Sequence, residues 1–160
     1  MTGGGIQLMI NSYSTLIMDH VSFAANTCDT FGYAIHISSN NSVIVSNSIL
    51  ASPSPTSTCY IDITASWTSN GYNISNDGSC KLTTLGDWSN TNPRLGMLGE
   101  YGGYTSTLPL LFNSPAIDLG DPTDPTGRLD QRGVPIFNGR SDIGAFEYFP
   151  PIGWLPLIMK

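Results

Sequence analysis

Three observations predict an all-β fold, a short parallel β-solenoid closed by an irregular C-terminal cap. Only 11% of the 160 residues are charged, so Ser, Thr, Asn and Gly must supply the polar surface. These residues favour turns and strand faces over exposed helices. The second observation is an internal repeat, and the third is that the apolar stretches are short and bounded by turn residues.

The repeat joins residues 14–23 (STLIMDHVSF) and 41–50 (NSVIVSNSIL), which share one template at an offset of 27 residues. The template aligns Leu16 with Val43, Met18 with Val45, His20 with Asn47, and Phe23 with Leu50. One such unit cannot bury its apolar face alone, whereas stacked units can. An antiparallel sandwich also uses short alternating strands, but a fixed offset disfavours it.

The chain has the length of one domain with a single core. We expect residues 1–85 to form the coils, 86–150 to form the last coil and the cap of the same domain, and 151–160 to form a tail. The cap is expected to be irregular because Gly, Pro, Asn and Asp dominate residues 86–128.

Composition also limits the partners. A net charge of -6 provides no basic surface for nucleic acid, and no apolar run reaches the roughly 18 residues that a transmembrane helix needs. The start, MTGGGIQLMI, lacks the basic and apolar regions of a signal peptide. Sparse Lys and abundant Ser, Thr and Asn nevertheless suit an exported protein. We therefore expect a mature fragment, the tail of a longer polypeptide, or a subunit exported with help.

Several motifs resemble, in sequence order, the choice-of-anchor Q domain proteins of bacterial surfaces. The motifs are NSILA (47–51), SNGYNIS with GSC (69–80), GDWSNTNPRLGML with YGGYTSTLPLL (86–111), NSPAIDLGD (113–121), DQRGVP (130–135) and DIGAFEY (142–148). The resemblance covers residues 32–148. It implies a right-handed parallel β-helix of the pectate-lyase-like type in an extracellular or cell-surface protein, and it implies no particular reaction.

The resemblance also implies a disulfide between Cys59 and Cys80, because members of this family commonly place a cysteine pair there. In an oxidising compartment the bond would close a loop of about 20 residues and stabilise the fold by about 3 kcal/mol. Two buried thiols are the alternative. Cys28 is then left over as a small buried hydrophobic residue, and Ser141 stands where many relatives carry a further cysteine.

Charge is concentrated in the stretch LDQRGVPIFNGRSDIGAFEY (129–148). Its residues Asp130, Arg132, Asp142 and Glu147 lie in motifs that recur near the ends of the family's β-helices, beyond the coils that usually carry active sites. We therefore expect a salt-bridge cluster that holds the cap on the last coil through Arg–carboxylate bonds. A catalytic site is the alternative.

Two further kinds of site have weaker support. Asp118, Asp121 and Asp124 lie in a Gly/Pro-rich loop that could supply oxygen ligands to calcium, although Asp is also an ordinary turn former. No other cofactor is expected. His20 and His36 lack the spacing of a zinc site and are expected at a coil corner or on a strand face.

Aromatic residues and arginines bear on carbohydrate chemistry. Trp67, Tyr72 and Trp88 could stack on sugar rings, although aromatic residues on strands more often pack in cores. A polysaccharide lyase needs an Arg or Lys as base, yet residues 1–80 contain neither. An enzyme built on the coils alone therefore lacks its base.

These observations favour a non-enzymatic structural or adhesive module of an exported cell-surface protein. The N-terminal segment begins inside a coil template without a capping element, which predicts missing upstream coils, a protein partner or self-association. The alternatives are a carbohydrate-active β-helix, either lyase-like or glycan-binding, and a structural subunit of a large extracellular or membrane-associated assembly. The tail GWLPLIMK (153–160) resembles tails of exported bacterial proteins, and a last core strand is its structural alternative.

Overall fold

A computed structural model describes residues 5–8, 13–28, 32–53, 57–124, 128–136 and 139–150. Within these ranges the chain is all-β and contains no helix, so none of the described residues belongs to a helix that could cross a membrane. The predicted tail and most of the first twelve residues lie outside the described ranges.

Within the described residues, nine short strands form three successive units of three strands each. Repeat 1 contains β1 (Ile6–Leu8), β2 (Thr15–Asp19) and β3 (Ser22–Phe23); repeat 2 contains β4 (Ile35–Ile37), β5 (Ser42–Ser46) and β6 (Ile49–Leu50); repeat 3 contains β7 (Cys59–Ile61), β8 (Ser66–Ser69) and β9 (Ile74–Ser75). Corresponding strands of successive repeats pair in parallel, which produces the three sheets β1-β4-β7, β2-β5-β8 and β3-β6-β9.

The strand register follows the sequence repeat. The partners include Leu16 with Val43, Met18 with Val45, and Phe23 with Leu50, so the predicted alignment is confirmed. Repeat 3 follows repeat 2 at the shorter offset of 24 residues in the middle sheet.

Two cores lie on opposite faces of the third sheet, because successive side chains of a strand point to opposite faces. Leu50 points into the space between the three sheets and packs with Val43 and Val45. Its neighbour Ile49 points outward and packs with Ile74 and Ile143.

The second core changes the predicted position of the cap. We expected the cap on the last coil, whereas the closing segment, which is the described part of residues 93–148, packs along the outer face of the third sheet and contacts all three repeats. The amide of Ala145 donates to Ser22 Oγ at 3.0 Å, and the amide of Gly144 donates to the Asn47 carbonyl at 2.8 Å. A Cβ at Gly144 would lie 2.8 Å from the side chain of Ile49, so only glycine permits this approach.

A different segment, the end loop (residues 77–91), covers repeat 3. It carries one half of a disulfide that joins Cys59 to Cys80 across 21 residues, which confirms the predicted pair. Cys28 is free and half-buried. Trp88 continues the third sheet through a parallel bridge to Ile74.

Candidate functional site

A cavity of about 490 Å³ opens where the turn between β2 and β3 meets the closing segment, and we name it the corner pocket. Its lining is mixed in polarity and consists of Asp19, His20, Val21, Ser22, Arg128, Leu129, Asp130, Gln131, Ile136, Gly144, Ala145 and Glu147. The residues come from repeat 1 and from two separate stretches of the closing segment. The site therefore exists only because the closing segment packs beside the repeats.

His20 occupies the turn itself, in a left-handed conformation with φ of 53°. The residues at the equivalent corner of repeats 2 and 3 are Asn47 and Tyr72, and their φ angles are 48° and 57°. A left-handed residue is thus the rule at this corner, and only in repeat 1 is it titratable near neutral pH.

The imidazole of His20 lies between two carboxylates. Nδ1 is 3.2 Å from Oδ1 of Asp19, and Nε2 is 2.9 Å from Oδ2 of Asp124 in the closing segment. Both nitrogens are buried, and neither contact has the direction of a hydrogen bond. Burial lowers the pKa of His20 despite the opposing charge of Asp19, and the charge of Arg128 adds to this lowering. The ring is therefore mainly neutral at pH 7.

Arg128 supplies a cation to this corner, since residues 1–80, which include all three repeats, contain no Lys or Arg. Its guanidinium lies 2.6 Å from Oδ2 of Asp19 and 3.6 Å from Oδ1 of Asp124, so it bridges the same two carboxylates as His20. Burial acts to raise the pKa of Asp19, but hydrogen bonds from Asn47 and Ser46 outweigh it and the net direction is downward. Asp19 is therefore ionised.

The predicted salt-bridge cluster contains one ion pair. Nε of Arg132 donates to Asp130 Oδ2 at 2.8 Å, and the same guanidinium donates to the carbonyl of Glu147 and lies 3.5 Å from the ring centre of Phe146. The carboxylate of Asp130 also accepts the amides of Val134 and Glu147.

The two other carboxyl groups of the cluster bind backbone amides instead of arginine. Asp142 accepts the amides of Asp118 and Tyr148, and Glu147 Oε1 accepts the amide of Asp142 at 3.0 Å. Burial raises the pKa of Asp142 to about 6 and that of Glu147 to about 7. Glu147 therefore brings a proton that can dissociate near neutral pH to the wall of the corner pocket.

The aspartates considered for calcium do not form one site. Asp121 accepts the amide and hydroxyl of Thr123, and Asp124 lies against His20 and the Ser141 hydroxyl. Among the described residues, no group of three His, Cys, Asp or Glu side chains could hold a metal ion. Asp118 contributes its backbone amide to Asp142.

The aromatic residues considered for sugar stacking lie apart from the corner pocket. Trp67 packs against the core between the sheets, whereas Trp88 is 44% exposed on the end loop. Tyr72 occupies the third corner, with the Arg140 guanidinium 5.9 Å from its ring centre. The other histidine, His36, lies on β4, and its ring packs edge-on against Tyr60.

Sequence reasoning missed the partners of His20. It placed His20 at a coil corner, but Asp124 and Arg128 reach it from more than a hundred positions away. One signal was present, because the repeat template aligns a titratable His20 with the uncharged Asn47.

No protein-family model, curated protein or solved structure matches the chain. The chemistry of the corner pocket and of the sheet edges therefore has to be inferred from their own residues.

Proposed function

We propose that the three repeats are coils of a right-handed parallel β-helix, and that the chain is a structural or adhesive module of an exported cell-surface protein. The motifs that resemble choice-of-anchor Q domain proteins support this role. The Cys59–Cys80 disulfide supports an oxidising compartment. In this proposal the module associates with a further strand layer, of its own polypeptide or of another chain, through repeat 1.

One observation carries the proposal: the strands of repeat 1 pair on one side only within the described residues. The carbonyl of Ser14 accepts the amide of Ser42, and the amide of His20 donates to Ser46. Since successive residues of a strand direct their backbone groups to opposite sides, Thr15, Ile17 and Asp19 direct theirs away from β5. Such an edge is a template for another strand.

An apolar groove beside this edge also supports association. A cavity of about 1330 Å³ has Phe23 and Ala24 of repeat 1 on one wall and Met97 and Leu98 of the closing segment on the other. Met97 is 83% exposed, and exposed apolar surfaces of this kind mark interaction sites. A structural subunit of a large extracellular or membrane-associated assembly would use the same two surfaces.

A pair of proline substitutions tests the edge. Ile17→Pro removes an amide that faces away from β5, so it blocks a new layer and leaves the existing sheet bonded. Ile63→Pro is the matched control, because Ile63 is 99% exposed and follows Asp62 in a turn that the Ala65 amide closes, a position that favours proline.

We expect the wild type and Ile63→Pro to associate at micromolar concentration in multi-angle light scattering, and Ile17→Pro to be monomeric. Circular dichroism checks that each variant is folded. If Ile17→Pro is unfolded, Ile17→Lys repeats the test by placing a charge on the same strand edge. A monomeric wild type, or association that both edge variants retain, contradicts the proposal.

Carbohydrate binding is the second candidate function, and the corner pocket favours it. Asp19, Arg128 and Glu147 line one open cavity, an arrangement suited to recognising a polar ligand. A lyase reaction has less support, because Arg128 is held by two carboxylates and is not free to act as a base.

A further inference from the structure

We propose that the corner pocket binds a neutral, hydroxyl-rich ring such as a pyranose, and that it discriminates against uronates and other anions. The inference rests on the second candidate function, carbohydrate binding, and adds the charge of the ligand. A cavity of about 490 Å³ lies within the size range of small-ligand sites.

The cations at the pocket are already neutralised. Arg128 is the only arginine among the described lining residues, and it bridges Asp19 and Asp124. Arg132 is not among the described lining residues and is paired with Asp130 at 2.7 Å. An incoming carboxylate would therefore have to displace an existing ion pair. In a partly buried site the free energy lost with that pair and with the desolvation of the ligand exceeds the free energy gained from the new pair.

The remaining polar groups suit hydroxyl groups. The carboxylate of Asp19, whose side chain is 35% exposed, is a hydrogen-bond acceptor at the pocket wall, and so is the hydroxyl of Ser22, which accepts the Ala145 amide and keeps a second lone pair. Sugar hydroxyls are donors. An anionic ligand would instead meet like charges. The balance of charges therefore favours a neutral ligand that donates hydrogen bonds.

The apolar part of the lining suits the C–H face of a sugar ring. Val21, Leu129, Ile136 and Ala145 lie among the polar lining residues, and Leu129 is 59% exposed. Apolar surface combined with polar groups that fix the orientation of the ligand is typical of small-ligand sites.

Glu147 extends the range of hydroxyl contacts. Its buried carboxyl, with a pKa raised to about 7, is partly protonated at neutral pH and can donate as well as accept a hydrogen bond. Ionisation of this group at higher pH adds a negative charge, which strengthens the discrimination against anions.

Two probes with the same ring separate the possibilities. The full chain is titrated with methyl β-glucoside and, separately, with methyl β-glucuronide, while the backbone amide signals of Gln131 and Ala145 are followed by NMR. We expect the glucoside to shift these signals with a Kd in the millimolar range, and the glucuronide to bind about tenfold more weakly.

A charge-gain variant sharpens the test. Leu129→Arg places a guanidinium without a designed partner at the rim of the pocket, so we expect glucuronide affinity to rise about fivefold or more. Leu129→Gln is the matched control without the charge and should leave glucuronide binding weak.

Each outcome decides something. Glucuronide binding as tight as glucoside binding in the wild type overturns the neutral-ligand inference and leaves carbohydrate binding intact. Silence of the pocket signals with both probes up to about 50 mM, a Kd beyond specific recognition, overturns both. Because association is measured separately, neither result bears on the proposed assembly role.

Discussion

The first and third repeats are built on one strand template and differ in what covers their outer edges. In repeat 3 the amide of Thr58 donates to Asp77 at 2.9 Å, the amide of Ser75 donates to the Trp88 carbonyl at 2.9 Å, and the disulfide fixes the end loop over β7. Repeat 1 has no such cover within the described residues. The strand template thus builds the stack, and separate segments decide which end is closed.

A ladder of hydrogen bonds at the corner between the second and third sheets shows the same difference between the two ends of the stack. The amide of Val21 donates to Ser48 Oγ, the amide of Ser48 donates to Asn73 Oδ1, and the amide of Asn73 donates to Asp87 in the end loop. Each repeat is therefore capped by a polar side chain of the next. Val21 has no polar group to offer to a preceding layer, so the ladder runs toward the closed end only.

The largest expected effect comes from opening the closed end. The double variant Cys59→Ala and Cys80→Ala should lower the free energy of unfolding by about 3 kcal/mol, because it releases a loop of 21 residues. It should also increase association, since repeat 3 would then resemble repeat 1. Chemical denaturation measures the first effect and light scattering the second. Cys28→Ala, at the free cysteine, is the control, and a loss below about 1 kcal/mol would count against the comparison.

Removal of Arg132 should weaken the closing segment without changing either end. Arg132→Ala removes the charged hydrogen bonds to Asp130 and leaves its buried carboxylate with backbone amides only, so we expect a loss of about 2 kcal/mol in unfolding free energy. Association and glucoside binding should be retained. If binding is lost while stability is unchanged, Arg132 belongs to a binding site and its role in holding the closing segment is wrong.

The ladder can be broken at one rung. Asn73 is fully buried, and Asn73→Ala leaves the buried amide of Ser48 without its partner, so we expect a loss of about 1 to 2 kcal/mol. Ser48→Ala removes the equivalent bond to Val21, which is half-buried, and should cost less. Equal losses in denaturant titrations of the two variants would contradict the difference between the repeats.

The smallest expected effect is on the pH dependence of the free energy of unfolding. Glu147 in the closing segment and Asp77 in the end loop should contribute to it with opposite signs. Burial raises the pKa of Glu147 from 4.5 to about 7, so its contribution to stability is present below pH 4.5 and is lost as the pH rises through 7. Glu147→Gln should therefore gain about 1 kcal/mol relative to wild type between pH 5 and pH 8, since screening by water in the pocket reduces the full effect.

Asp77 in the end loop supplies the opposite sign. Burial acts to raise its pKa, but hydrogen bonds from Ser79 and Thr58 outweigh burial and lower it below 3.8. Its stabilising contribution is present above that value and is lost on further acidification. If Asp77→Asn and Glu147→Gln change the pH profile of unfolding in the same direction, the assignment of opposite roles is wrong.

The sequence predicted the stacked repeats because their period is encoded in local residues. Leu16 and Met18 alternate as Val43 and Val45 do, and a parallel register places such equivalents side by side. The template was recognised only in residues 14–23 and 41–50 and not in repeat 3, where Trp67 replaces the β-branched residue that Val43 provides in repeat 2.

The candidate site could not be predicted in the same way. The contact between Ser22 and Ala145 spans 123 positions and depends on the outward face of Ile49, which no local pattern reveals. The predicted cluster at Asp130 and Arg132 was therefore placed on the wrong surface, over the last coil, although its ion pair forms.

Amide hydrogen exchange of β2 tests the central claim most directly, because it reports on the edge itself. The amide of Leu16 faces β5 and should be protected at every protein concentration, whereas the amide of Ile17 faces away. We predict fast exchange of Ile17 in dilute protein and slowing by about tenfold or more as the protein associates. Exchange of Ile17 that is independent of concentration, or already as slow as that of Leu16 in the monomer, would contradict an open edge.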